Sequence, residues 1–222
     1  LPIFAFTVTG PTQMRILAVV LSSCLALAAQ ASEEAMERFT RLNADPALRQ
    51  QAYTAAQERI SFCVHCHGEN GNSKRQHIPN LAEQNPVYLF NSFEKFASGE
   101  RTDYVMSQLA KNLTLEDRVN VAIYFGQQKV VAHAEPVDEA LRAQGEAMFA
   151  RTCVACHGAQ AQGKEDMPRL AGQPAAYVRK ALTRFRDKDP SRAGSLMMAV
   201  AENLSDQDIE ALASYVQTLA TP

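Results

Sequence analysis

Cys63-Val64-His65-Cys66-His67-Gly68 and Cys153-Val154-Ala155-Cys156-His157-Gly158 stand ninety residues apart in a chain of 222. In each, two thiols bracket two residues and a histidine follows directly. This spacing is the attachment signature of a c-type haem, whose vinyl groups take up the thiols while the adjacent imidazole reaches the iron. Three other readings compete with it. A structural zinc site needs four ligands, and each motif supplies at most three. A thioredoxin-like dithiol belongs beside a βαβ unit, which the flanking sequence lacks. A disulfide framework would need thiols that two haems already use. Cys63, Cys66, Cys153 and Cys156 are therefore the expected thioether anchors of two covalently attached haem c groups, with His67 and His157 as iron ligands.

Working outward, the sequence around the first motif recurs around the second. Pro79-Asn80-Leu81-Ala82 returns as Pro168-Arg169-Leu170-Ala171, Tyr88 as Tyr177, Phe96 as Phe185, Leu113-Thr114 as Leu204-Ser205, and Tyr124 as Tyr215. The offset drifts only as far as small loop insertions require, which makes the chain a tandem repeat of one domain. The expected layout is 1–31 for upstream residues and a leader, 32–130 for the first domain and 131–222 for the second, with the boundary inside 129–137 near Pro136.

The reading within each half is helical throughout. Helices over 47–62 and 140–152 lead into the motifs, and Pro86 and Pro174 open helices over 87–97 and 175–186 whose aromatics recur at helical spacing. Thr114 and Ser205, each followed by acidic residues, read as N-caps of final helices running to about Gln128 and Leu219. No segment alternates as a strand would. An amphipathic helix over 32–43 has no counterpart in the second half.

An iron held by one histidine is open to small ligands; an electron carrier fills the sixth position, and a methionine thioether favours the ferrous state relative to a second histidine. Of seven methionines, Met14, Met36, Met148 and Met167 have no equivalent in the other half. Met106 and Met197 each lie seven residues before the paired Leu113 and Leu204, and they are the assigned sixth ligands. Met198, which aligns with Ser107, is the alternative in the second half. His65, His77 and His133 read as solvated, with His77 the one that could displace Met106. A ligating imidazole needs its other nitrogen fixed. The carbonyls of Pro79 and Pro168, held rigid by the proline ring, are the expected acceptors for His67 and His157.

Net charge is −2, so nothing predicts nucleic-acid binding. The basic cluster Arg179, Lys180, Arg184, Arg186 and Lys188 is either a docking patch or, more simply, a solvated helix face. Met14-Arg15, the apolar run 16–29 and Ala29-Gln30-Ala31 read as a secretory leader with Ser32 as the first mature residue. The run is short for a membrane span. Cys24 sits in a lipoprotein-like box, but apolar residues continue past it, which favours a cysteine inside the discarded leader. Export fits haem c, which is attached outside the bacterial cytoplasm, and places the chain in the periplasm.

With these residues in view, the chain resembles the class I cytochromes c and, in its tandem arrangement, the bacterial dihaem cytochrome c4 family. The resemblance covers roughly residues 55–220 and rests on both Cys-x-x-Cys-His-Gly stretches, Gly71-Asn72-Ser73, the Pro-x-Leu-Ala stretches, the two methionines and the Leu-Ser/Thr helix starts. It implies an all-α fold of two tandem class I cytochrome c-like domains, His/Met ligation and haems close together across the domain interface with hydrogen-bonded propionates. It also implies electron transfer from a bc1-type complex or dehydrogenase toward a terminal oxidase, and peripheral membrane association in many members. Glu83 departs from it, standing where Gly172 stands in the second half. A dedicated cytochrome subunit of a dehydrogenase or oxidase is the nearest alternative. A dihaem peroxidase-type enzyme would need an open iron, which paired methionines oppose.

Overall fold

The computed structural model describes residues 36–131 and 136–219. The expected leader, Cys24 and His133 lie outside them. The chain divides into two units, Leu1–Asp45 and Pro46–Pro222. In the first, residues 36–44 form helix α1, where Thr40 Oγ1 donates back to the Met36 carbonyl at 2.8 Å. This is the described part of the amphipathic helix expected over 32–43.

The second unit repeats one helical pattern. Its first half runs α2 (Pro46–Ala56), α3 (Ser61–His67), α4 (Pro86–Ser98), α5 (Tyr104–Asn112) and α6 (Leu115–Gly126). Its second half runs α7 (Glu139–Thr152), α8 (Val154–His157), α9 (Ala175–Arg186), a 3₁₀ turn (Pro190–Arg192), α10 (Met197–Ala201) and α11 (Asp206–Thr218). In the first half α2 packs on α6, and α4 on α5 and α6; in the second α7 packs on α11, and α9 on α10 and α11. Among the described residues the one β feature is an isolated bridge between Lys164 and Met167. None of their helices is long and apolar enough to cross a membrane.

The sequence shows why α6 and α11 anchor each half. Thr114 Oγ1 accepts from Asp117 N at 3.1 Å while the Asp117 carboxylate accepts from Thr114 N at 3.1 Å. Ser205 and Asp208 repeat this capping box at 3.1 and 2.9 Å. Beyond the caps the helices are buried almost all round over 119–125 and 211–217, enclosing Val119, Val121, Ile123 and Phe125 in one and Leu212, Ala213 and Val216, with the polar Ser214 and Gln217, in the other. An aromatic from the leading helix meets the tyrosine of the closing helix in both halves: Tyr53 and Tyr124 at 4.7 Å, Phe149 and Tyr215 at 5.5 Å between centroids.

The caps carry a pH signature. Although burial opposes it, bonds from Thr114 and Arg59 hold the Asp117 carboxyl below its ordinary value, and the bonds from Ser205 do the same for Asp208. A depressed folded-state pKa stabilises above the unfolded value, about 3.9, and that stabilisation is lost as pH falls through the lower folded value. Thr114→Ala therefore costs about 1 kcal/mol near neutral pH. Urea unfolding at pH 7 and pH 3 should show the difference from wild type shrinking in acid.

One helix differs from expectation. The single helix expected over 47–62 is two, because Gln57 N and Arg59 N turn back to Thr54 and Ala56 carbonyls at 3.2 and 2.8 Å. These tighter bonds end α2, and Arg59 reaches Asp117 at 3.0 Å.

Candidate functional site

The helix that carries each motif stops immediately after its histidine. Gly68 and Gly158 take φ of 80° and 79°, and a Cβ on Gly68 would meet the Asn72 carbonyl oxygen at 2.1 Å. Glycine is thus required for the chain to leave the helix there. The turn buries His67 and His157 to 7 % and 5 % exposure. His67 Nδ1 lies 2.9 Å from the Pro79 carbonyl oxygen, and His157 Nδ1 lies 2.9 Å from that of Pro168. A carbonyl only accepts, so Nδ1 carries the hydrogen and Nε2 keeps its lone pair. Burial lowers both imidazoles below the ordinary histidine value, against the opposing pull of these bonds and, for His67, of Asp103. A neutral imidazole with one fixed nitrogen and one free lone pair is the form that binds a metal.

No disulfide joins the four motif cysteines. Burial, with the neighbouring cysteine adding to it, pushes Cys63 and Cys153 up to about 11. Among the described residues no three His, Cys, Asp or Glu side chains converge as a metal cage.

Met106 is the third residue of α5, and Met197 the first of α10; both are half-buried. Asp103 caps α5 by accepting from Val105 N at 3.1 Å and Met106 N at 3.2 Å, and its charge is felt at His67. The start of α5 thus lies near enough to the first histidine for the Asp103 charge to act there. Met197 N donates to Ser195 Oγ at 3.3 Å instead, so the two halves support the methionine segment differently. Sequence reading missed α5, although Asp103 ahead of Met106, Leu109 and Ala110 is the cap-plus-period signal that marks a helix. Beside the methionines, large apolar side chains stand in water: Tyr104 at 92 % and Leu196 at 81 % exposure.

The halves meet along a seam that obeys the repeat. Arg101 and Arg192, which occupy equivalent positions, both bring their charge to Tyr177, and each lies over the equivalent phenylalanine, Phe96 or Phe185; Arg101 also donates to the Tyr88 hydroxyl at 3.4 Å and to Ser92 Oγ at 3.3 Å. Burial alone would raise the Tyr177 phenol; the two guanidinium charges overcome it and lower it. The Nε atoms of Arg101 and Arg192 are buried with no acceptor among the described residues. Two cations with buried, unmatched Nε donors at the seam fit the carboxylates that a haem carries, and the motif cysteines, buried histidines and exposed apolar side chains fit its ring. The basic cluster on α9 is locally neutralised: Arg179 pairs with Glu210, Arg184 with Asp189, Arg186 with Asp187 and Asp206, and Lys188 with Glu202. Lys180 is exposed with no ion pair among the described residues, and the cluster reads as a solvated face. Glu83 takes the left-handed φ of 54° where Gly172 takes 73°, and its carboxylate receives Val130 N at 3.2 Å and faces Arg169 at 4.0 Å.

The comparisons agree with this geometry. The family model for cytochrome c matches residues 142–220. Cytochrome c4 of Pseudomonas aeruginosa is 37 % identical over 178 residues, covering 74 % of this chain and 87 % of its own. The thiosulfate dehydrogenase electron acceptor of Thiomonas intermedia is 32 % identical, covering 74 % of this chain and 82 % of its own. The crystal structure of reduced recombinant cytochrome c4 from Pseudomonas stutzeri aligns with a TM-score of 0.69 at 34 % identity, covering 75 % of this chain and 97 % of that one. With two Cys-x-x-Cys-His helices in two helical domains and this likeness along most of its length, the chain belongs to the cytochrome c4 family and is a dihaem electron-transfer protein, not an enzyme.

Proposed function

We propose that this chain holds its two irons between His67 and Met106 and between His157 and Met197, and shuttles electrons through the periplasm between redox proteins. The observation that carries the reading is the duplicated bond from a buried histidine to a proline carbonyl, with a methionine at equivalent places in both halves. Each bound haem supplies one-electron exchange between ferrous and ferric iron. The chain's residues do the rest. The cysteines fix each ring, Pro79 and Pro168 hold the imidazoles neutral and oriented, and Met106 and Met197 close the irons to other ligands. Arg101 and Arg192 hold haem carboxylates at the seam. The first domain spans 32–130 and the second 131–222, after a cleaved leader ending at Ala31.

The proposed donors are a bc1-type complex or a dehydrogenase, and the proposed acceptor is a terminal oxidase, with peripheral membrane association. A dedicated role beside one dehydrogenase is the second reading. It is favoured by the relative named as an electron acceptor of thiosulfate dehydrogenase, and by the 32 % identity and TM-score of 0.59 to a thiosulfate dehydrogenase of Marichromatium purpuratum that this chain matches over 36 % of that chain. Stopped-flow mixing with a purified thiosulfate dehydrogenase, a bc1-type complex and oxidase-bearing membranes tests it. Reduction by a donor and reoxidation by the oxidase within milliseconds supports the shuttle. Exchange with the dehydrogenase alone supports the dedicated role, and exchange with none overturns both.

The ferric iron carries one more positive charge than the ferrous one, so removing a cation beside the haem carboxylates relieves repulsion of the ferric state and favours it. Arg101→Gln and Arg192→Gln should each lower a midpoint potential by about 30–60 mV, or threefold to tenfold at 59 mV per decade. Spectroelectrochemical titration checks this.

A further inference from the structure

The peptide groups that hold the two axial histidines are themselves held from the opposite domain. The Pro79 carbonyl accepts from His67 Nδ1, and the N–H of that same peptide belongs to Asn80. Asn80 N donates to Gln173 Oε1 at 2.9 Å, and Gln173 Nε2 donates back to the Asn80 carbonyl at 2.8 Å. The mirror arrangement is present. Arg169 N, in the peptide whose carbonyl serves His157, donates to Gln84 Oε1 at 2.7 Å, and Gln84 Nε2 donates to the Arg169 carbonyl at 2.9 Å. Gln84 and Gln173 are equivalent in the repeat, and both are almost wholly buried, at 4 % exposure each. Asn80 Nδ2 adds a bond to the Gly172 carbonyl at 2.8 Å, fixing the seam further.

We propose that Gln84 and Gln173 are crossed potential-setting residues: each tunes the iron of the domain it does not belong to, through the peptide behind that iron's histidine. The physics is polarisation. A peptide N–H that donates to an acceptor shifts electron density onto its own carbonyl oxygen, and chains of such bonds reinforce one another in a low-dielectric interior. The more negative carbonyl pulls harder on the Nδ1 hydrogen, which makes the imidazole a stronger donor to iron and favours the ferric state. A side-chain amide that clamps both N–H and C=O of one residue also sets the tilt of that peptide. The bond that polarises each proline carbonyl is thus supplied by the opposite domain.

The proposal rests on the assignment of His67 and His157 as iron ligands, and the test separates the two. Both are read on the full-length holoprotein by a redox titration followed by nuclear magnetic resonance. Haem methyl signals are assigned to each domain through their contacts to Cys63 and Cys66 or to Cys153 and Cys156. A low-spin spectrum at both haems in every variant keeps the histidine ligation intact; its loss in the wild type would remove the assignment itself. Gln173→Met keeps the length of the side chain and removes its bonds. It should move the first-domain haem toward reduction about threefold, or about 28 mV at 59 mV per decade, with a smaller change at the second. Gln84→Met should do the converse. Gln173→Glu keeps the acceptor and strengthens it with charge, so it should move the first-domain haem toward oxidation. This variant is decisive alone if Gln173→Met fails to hold haem. A shift confined to the substituted residue's own domain, equal shifts at both haems, no shift, or the same sign for Met and Glu would each overturn the proposal.

Discussion

Met106→Ala lowers one midpoint potential by more than tenfold in the ferrous-to-ferric ratio, more than about 59 mV for a one-electron couple, and opens one iron to carbon monoxide. Met197→Ala does the same at the other iron. A thioether is a soft, neutral ligand that favours ferrous iron, so its loss removes a term specific to one oxidation state. Water or an adjacent side chain then fills the position weakly enough for a gas to displace it. The two halves should not respond alike. Met106 sits on a nine-residue helix whose start is tied by the Asp103 side chain, whereas Met197 begins a five-residue helix whose N-cap residue, Leu196, gives no side-chain cap, so that its start rests on Ser195 through Met197 N at 3.3 Å and Met198 N at 3.0 Å. The second iron therefore recruits a replacement more readily, and Met198, next along the same short helix, is the neighbour within reach in sequence. If Met197→Ala leaves both haems low-spin at unchanged potential, Met198 is the ligand there. Carbon monoxide binding in the reduced state, followed by optical titration of each single variant, reads the result.

Gly145→Ala is the second large effect, and it acts on stability. Gly145 lies in the middle of α7, where glycine costs about 1 kcal/mol against alanine. Its compensation is close approach: a Cβ there would stand 2.0 Å from the Ala211 carbonyl oxygen and 2.9 Å from Tyr215 Cβ on α11. The opposing atom is helix backbone, so the strain is relieved only by moving α7 off α11, the pair that buries Phe149 against Tyr215. Overpacking of this kind costs about 1–3 kcal/mol. Alanine returns roughly 1 kcal/mol of helix propensity, so at about 2–4 °C per kcal/mol for a chain of this size thermal unfolding of the holoprotein should fall by up to roughly 8 °C. Haem spectra at low temperature should be unchanged, because α8 and its histidine lie beyond the contact. An unchanged or raised melting temperature would contradict the close packing of these helices.

Much of this was legible in the sequence because it is local or periodic. The haem motifs are contiguous, the capping boxes at Thr114 and Ser205 span three residues, and the repeat exposes equivalent positions without knowledge of the fold. Pro79 and Pro168 were reachable too, since a rigid carbonyl twelve or eleven residues after each histidine suggests an acceptor. The seam was not legible. Gln84 and Gln173 clamp backbone groups on residues more than eighty positions away, and a backbone acceptor leaves no residue-type signature. Arg101 and Arg192 were hidden because their partners, Tyr177 and the aromatic rings, come from other helices. The break between α2 and α3 has no glycine or proline to announce it; it arises from tight turn bonds after Ala56, which propensity does not encode. The short α10 is below the length at which hydrophobic periodicity speaks.

The central claim is that both irons are closed by histidine and methionine. Far-red absorption and magnetic circular dichroism of the fully oxidised full-length protein test it most directly, because the far-red charge-transfer band arises when thioether sulfur is bound to ferric haem. The account predicts that band at an intensity of two sulfur ligands per chain, halved in Met106→Ala and halved in Met197→Ala. A wild-type intensity of one ligand or none, or a band that survives both substitutions together, would contradict it.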